Sequence, residues 1–303
     1  MRVFLFVYFG MVSALLGQDD EYNNRLHMIS DRSYIQLMRG NIPSKNQNTA
    51  ATTKTTFMEA QIAPFYFIRF GDQSRFTIVL SPKLIIRMAD AESLPIKTPS
   101  FMPTLTAFQR INLTALSQNK ITKWLITPNH KTFLMYRFAH HSNGQKDEFF
   151  VPGTRRINFS TGNFSTDYAE VGFQWTDMST TRSRFTSNGR LSMEHHFSFG
   201  RETDLKEIYY FNRFILENEF SIFPWMQLGT RFDVMTGSGS RFEPASSYQF
   251  SLELQPFSKW SDLSLFIRYY SGPDYYNIRY FSDQQFIGGG IRANPKSSPA
   301  MGF

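Results

Sequence analysis

The sequence predicts an all-β chain closed into a twelve-stranded antiparallel transmembrane β-barrel of the outer membrane, and three observations predict it. Aromatic residues make up 17% of the 303 positions, with 32 Phe and 14 Tyr, yet apolar residues are spread along the chain instead of gathered into long runs. Side-chain character alternates at period two over stretches near the length of a tilted membrane strand. The connections between those stretches alternate between short and long, as in barrels that keep tight turns on the periplasmic side and longer loops outside.

Residues 1–17, MRVFLFVYFGMVSALLG, carry one early Arg and then an uncharged apolar run ending in small residues. This is the pattern of a secretory signal with cleavage near Gly17. Nothing after Gly17 approaches the roughly 20 apolar residues of a membrane helix. Residues 18–303 therefore read as one barrel domain, with 18–32 and 295–303 as polar or irregular tails. Strands are expected at 33–40, 57–70, 75–88, 102–115, 131–140, 164–176, 184–199, 205–218, 221–235, 246–257, 261–271 and 284–294. The alternation is clearest late in the chain, where Tyr248, Phe250, Leu252 and Leu254 sit between Gln249, Ser251, Glu253 and Gln255. Short inner links are expected at Gly71-Asp72-Gln73-Ser74, at a joint near Glu219 and at Ser258-Lys259-Trp260. Longer outer links are expected at 41–56, 89–101, 141–163, 236–245 and 272–283. An even strand count returns the chain to the periplasm. Cysteine is absent, so an exported chain must hold together without disulfides, which a closed sheet achieves. The formal charge of +7 suits an anionic lipid surface. No zinc spacing, phosphate loop or nucleic-acid module is present.

The chemistry-bearing stretch is Phe138-Ala139-His140-His141-Ser142-Asn143-Gly144-Gln145. In extended backbone, residues i and i+2 share a face, so His140 and Ser142 lie together with Leu134, Tyr136 and Phe138. Arg137 takes the other face and belongs in the wet lumen, which turns His140 and Ser142 outward at the lipid edge. The neighbouring strand phases in the same way. Val171, Phe173 and Trp175 face out, and Ser165 and Asp167 fall on that side. An outward carboxylate needs an interfacial position or a partner, and His140 is a candidate partner. A base beside a hydroxyl is the minimum for nucleophilic acyl transfer, and a carboxylate on one imidazole nitrogen fixes the tautomer that leaves the other free to take a proton.

His140-His141-Ser142-Asn143-Gly144-Gln145 resembles the His-x-Ser-Asn-Gly-Arg core of the outer membrane phospholipase A family, twelve-stranded calcium-dependent barrels that hydrolyse phospholipid acyl esters. Tyr270-Ser271-Gly272-Pro273-Asp274-Tyr275-Tyr276-Asn277, followed by Gln285-Phe286-Ile287-Gly288-Gly289-Gly290-Ile291, is similar to that family's Tyr-Ser-Gly, Tyr-Asn and Gly-rich last strand. Pro95 and Pro103, with Lys97 and Phe101 between, resemble its Pro-Phe-Arg and Tyr-x-Pro loop. The resemblance implies Ser142 as nucleophile and His140 as general base. The third member is Asp167, in place of the family's Asn, with Ser165 and Asn163 as alternatives. It also implies a Ca2+ ion held by the backbone carbonyl of Gln145 and the side chain of Asn163. Ser93 is the nearest counterpart of a ligand that the family takes from a partner subunit. A membrane phospholipid substrate and a reversible homodimer follow from the same resemblance.

Two other functions compete with this one. A lipid A deacylase-type esterase also carries a His-x-Ser-Asn core, but such barrels use about eight strands. A passive, porin-like barrel would carry the pair as ornament, and would keep its working polar groups in the lumen.

Overall fold

The computed structural model describes residues 31–41, 54–69, 76–89, 96–111, 130–154, 156–177, 186–197, 204–205, 209–223, 225–237, 244–256, 263–281 and 283–293. The strands are β1 (Tyr34–Asn41), β2 (Lys54–Ile62), β3 (Tyr66–Arg69), β4 (Phe76–Ala89), β5 (Ser100–Ile111), β6 (His130–Ser142), β7 (Ser165–Asp177), β8 (Thr186–His196), β9 (Asn212–Phe223), β10 (Met226–Thr236), β11 (Ala245–Leu254), β12 (Leu263–Pro273) and β13 (Asp283–Ala293). From β4 to β13 each strand pairs antiparallel with the next, β13 pairs with β1, β1 with β2, and β2 and β3 both pair with β4. The sheet is closed. β2 and β3 are two halves of one barrel strand, interrupted at Ala63-Pro64-Phe65, so the barrel has twelve strands as expected. The interruption follows from proline's missing N–H. Its backbone groups are satisfied by side chains, since Ser81 Oγ donates to Pro64 O at 2.8 Å and Ala63 N donates to Ser33 Oγ at 2.9 Å.

Two expectations need correction. The chain reverses between Phe223 and Met226, not near Glu219, and the strand before it begins at Asn212. Glu219, expected at the joint, and Glu217 before it face inward: Glu217 bonds Arg190 and Arg231, and Glu219 bonds Arg32. Asp31 and Arg32 do not belong to an irregular tail. Asp31 pairs with Lys83 at 3.1 Å, and Arg32 binds Glu219 and Glu253 inside the barrel.

The exterior is apolar. Leu263, Leu265 and Ile267 on β12 are about half exposed, while Ser264, Phe266 and Arg268 between them are buried. The same alternation exposes Ile35, Leu37, Leu105, Tyr136, Phe138, Val171, Phe173, Leu191 and Phe214 around the barrel. A continuous belt of this kind is far larger than the apolar patches of a water-exposed monomer, and it faces hydrocarbon.

The lumen is polar and cross-linked. Glu59, fully buried, accepts from Tyr34 at 2.6 Å, Gln36 at 2.8 Å, Arg87 at 2.6 Å, Arg268 at 3.0 Å and Tyr275 at 2.8 Å. Arg137, Glu170, Arg190 and Glu217 form a chain of ion pairs across β6 to β9. A cavity of about 210 Å³ remains between these groups. The end bearing the long connections is covered by a cluster of Phe149, Phe164, Leu205, Ile278 and Tyr280. Burying so many charges is tolerable because each is matched by an opposite charge or a hydrogen bond. The matched pairs occupy the bore where a porin keeps its channel.

Candidate active site

The site is built on the β6–β7 pair, at the end where the 143–164 connection joins them. The register sets His140 directly opposite Asp167 and Ser142 directly opposite Ser165. Alternation sends Phe133, Met135, Ala139, His141 and Asn143 inward, buried, and leaves His140 and Ser142 on the outer face. On β7, Thr166, Glu170, Gln174 and Thr176 are buried, and Ser165 and Asp167 lie on the outer face.

His140 Nδ1–H donates to Asp167 Oδ1 at 2.7 Å. The histidine side chain is 41% exposed and the aspartate 21%. With the carboxylate holding Nδ1–H, Nε2 is the basic nitrogen and is free to accept a proton on the outer face, where Ser142 also lies. Of the three candidates for third member, Asp167 is the one bonded to His140. Ser165 faces Ser142, and Asn163 lies in the connection before β7.

The residues after Ser142 explain how the connection leaves the strand. Asn143 is buried, and its N–H donates to Phe164 O at 3.0 Å. Its Oδ1 accepts from Phe164 N at 2.9 Å and Gln145 N at 3.2 Å, and its Nδ2 donates to Gly162 O at 2.8 Å. One side chain thus ties both ends of the connection together. Gly144 follows with φ of 69°, a left-handed conformation that favours glycine, and a Cβ there would sit 3.3 Å from the Phe101 ring. Phe101 itself pairs with Ser142 from β5, on the apolar outer face.

Of the expected calcium ligands, Gln145 lies just past this turn and is exposed, and Ser93 lies outside the described residues. Asn163 N donates to Asp147 O at 2.9 Å, while its Oδ1 is buried without a hydrogen-bond partner. An orphaned amide oxygen is a hard neutral donor of the kind calcium takes. Among the described residues no group of three or more His, Asp or Glu side chains is placed to hold a metal ion.

The Tyr270–Asn277 stretch has a packing role. Gly272 adopts φ of 141°, Arg87 Nη1 donates to both carboxylate oxygens of Asp274 at 2.8 Å, and Asn277 Nδ2 donates to Thr98 O at 2.9 Å. These bonds fasten the last long connection to the one that leads into β5.

Sequence reasoning passed over the lumenal side of this wall. His141, which alternation turns inward, packs edge-on against Phe164 at 4.8 Å and bonds Ser100 at 3.4 Å. His196 and Glu194, 2.7 Å apart on β8, were not singled out. Their inward parity was the available signal.

No protein-family model matches the chain, and no curated protein matches it. Among solved structures, it is similar to outer membrane phospholipase A from Escherichia coli. An active-site mutant of that enzyme is 13% identical over 89% of this chain and 91% of that chain, with a TM-score of 0.58. A second structure of the enzyme is 13% identical over 87% and 96%, at 0.57. The outer membrane phospholipase of Salmonella typhi, described as a dimer with bound calcium, is 14% identical over 88% and 91%, at 0.55. At these identities the likeness concerns the fold. Together with the apolar belt and the closed sheet, it defines this chain as an outer-membrane β-barrel of the bacterial cell.

Proposed function

We propose that this barrel is a calcium-dependent phospholipase acting on acyl esters of membrane glycerophospholipids. The observation that carries the reading is the 2.7 Å bond between His140 and Asp167 on the lipid-facing wall, with Ser142 on the same face two residues away. A hydrolytic pair has reason to face lipid only when its substrate lies there. The cross-linked lumen supports the same reading against a passive pore.

In the proposed reaction Ser142 Oγ attacks the ester carbon of a phospholipid lying against β6 and β7. His140 Nε2 takes the serine proton and returns it to the departing alcohol. Asp167 holds the ring in the required tautomer and favours the imidazolium while it carries the proton. Water then releases the acyl group from Ser142 by the same route in reverse. The Gln145 carbonyl and Asn163 Oδ1 are the proposed calcium contacts, and a bound calcium ion would stabilise negative charge developing on the ester oxygen. The Asp147–Gly162 bridge and the Asn143 hydrogen bonds, which fasten the connection that carries Gln145 and Asn163, support this assignment. A reversible homodimer, which would complete the metal's ligands, is part of the proposal; the Salmonella phospholipase described as a calcium-bound dimer supports it.

The test is fatty-acid release from phospholipid micelles by the purified protein, with calcium and with a chelator, beside Ser142→Ala. Calcium-dependent release that Ser142→Ala abolishes is expected. No release by the unaltered protein, or undiminished release by Ser142→Ala, refutes the reading.

A further inference from the structure

A second carboxylate–imidazole–hydroxyl chain lies on the lumenal face, directly behind the outward pair. His196 Nε2 donates to Glu194 Oε1 at 2.7 Å, and His196 Nδ1 meets Thr166 Oγ1 at 3.0 Å. With Glu194 holding the Nε2 proton, Nδ1 accepts and the threonine hydroxyl donates. All three side chains are buried, and the His196 ring is held by Tyr168 and Tyr209, each with centroids 4.9 Å away. Most buried lumenal carboxylates, including Glu59, Glu170, Asp233 and Glu253, bond arginine.

Thr166 is the residue between Ser165 and Asp167, so its backbone is shared with the outward pair. It faces His141 across the β6–β7 ladder, and His141 reaches on to Ser100 of β5. Two buried imidazoles thus tie β5 to β6 and β7 to β8 at this one level. Backbone pairing there is incomplete: β5 and β6 pair at Phe101–Ser142 and again at Thr104–Ala139, and the register in between sets Pro103 across from His140. Proline has no N–H to give the ladder, and the lumenal link across this β5–β6 seam is the His141–Ser100 bond.

We infer that Glu194, His196 and Thr166 are positioning residues that hold the backbone of β7 where Asp167 meets His140. The inference rests on the reading of His140 and Asp167 as the working pair of a hydrolase. A shift of about 1 Å at such a pair is enough for a large loss of rate, so the relay acts on turnover and leaves lipid binding to the outer face.

The experiment compares Thr166→Val, Thr166→Ser and Ser192→Ala in the full chain in detergent micelles. Ser192 is a buried hydroxyl on the same lumenal wall that bonds Glu170 and not the relay, so it controls for general loosening. The readouts are kcat and KM for fatty-acid release, the low-field proton resonance of His140 Nδ1–H, and the thermal midpoint. Thr166→Val is expected to lower kcat about tenfold at unchanged KM and to displace the resonance. Thr166→Ser should restore both, and Ser192→Ala should leave both unchanged. The inference is overturned if Thr166→Val keeps the original kcat and resonance, or if Ser192→Ala matches its losses. Should the unaltered protein release no fatty acid, the hydrolase reading fails, and the resonance still decides whether Thr166 sets the geometry of the pair.

Discussion

Removing the Asp167 carboxylate should cut turnover without unfolding the barrel. In Asp167→Ala the His140 Nδ1–H loses the acceptor that stands 2.7 Å away, and the ring loses both its fixed tautomer and the charge that favours the imidazolium. A hydrogen bond to a charged group contributes about 1.5–3 kcal/mol net. His140 is 41% exposed and Asp167 21%, so water replaces part of the lost bond and the lower end of that range applies. About 1.5–2 kcal/mol lost from the transition state alone corresponds to a fall in kcat of about ten- to thirtyfold. Asp167→Asn keeps an oxygen that accepts from Nδ1–H and should retain more activity than Asp167→Ala. The assay is initial-rate fatty-acid release from mixed micelles at saturating calcium, with the thermal midpoint as a check on folding. A kcat for Asp167→Ala equal to that of the unaltered protein would refute the claim that this carboxylate orients a working imidazole.

Two further outcomes test the metal contacts and the lumen. Asn163→Ala removes an oxygen that has no protein partner, so it should raise the calcium concentration for half-maximal release about tenfold, a typical size for a lost ligand contact, and leave the calcium-free thermal midpoint where it was; an unchanged calcium titration would remove Asn163 from the ligand set. Glu59→Ala leaves the buried Arg268 guanidinium without its carboxylate and should lower the unfolding free energy in urea by about 3 kcal/mol, whereas no change would mean that the lumenal network does not stabilise the barrel.

Much of the barrel was legible in the chain because a strand with one lipid face and one wet face writes its orientation into its own residues. Arg137 between Tyr136 and Phe138 was enough to phase β6, and Val171, Phe173 and Trp175 phased β7, so the outward parity of His140, Ser142, Ser165 and Asp167 could be read before any coordinates. The strand ends were less legible where charge was the guide. Glu219 imitates a turn, Glu217 beside it gives no sign of its inward partners, and Asp31 and Arg32 imitate a loose tail, because a charged residue resembles a surface residue until its partner is known. Their partners Arg190, Arg231, Lys83 and Glu253 come from other strands, up to 221 positions away in the chain.

The site divides in the same way. Local alternation, a property of each strand by itself, turned His140, Ser142, Ser165 and Asp167 toward lipid. Which residue of β7 meets His140 is set by the register between β6 and β7, which puts Asp167 opposite it and Ser165 opposite Ser142, and no local pattern encodes that register. The relay behind the pair lay further from view still. Thr166, Glu194 and His196 are ordinary inward residues in the sequence, and only the register in which β8 pairs with β7 brings His196 to Thr166.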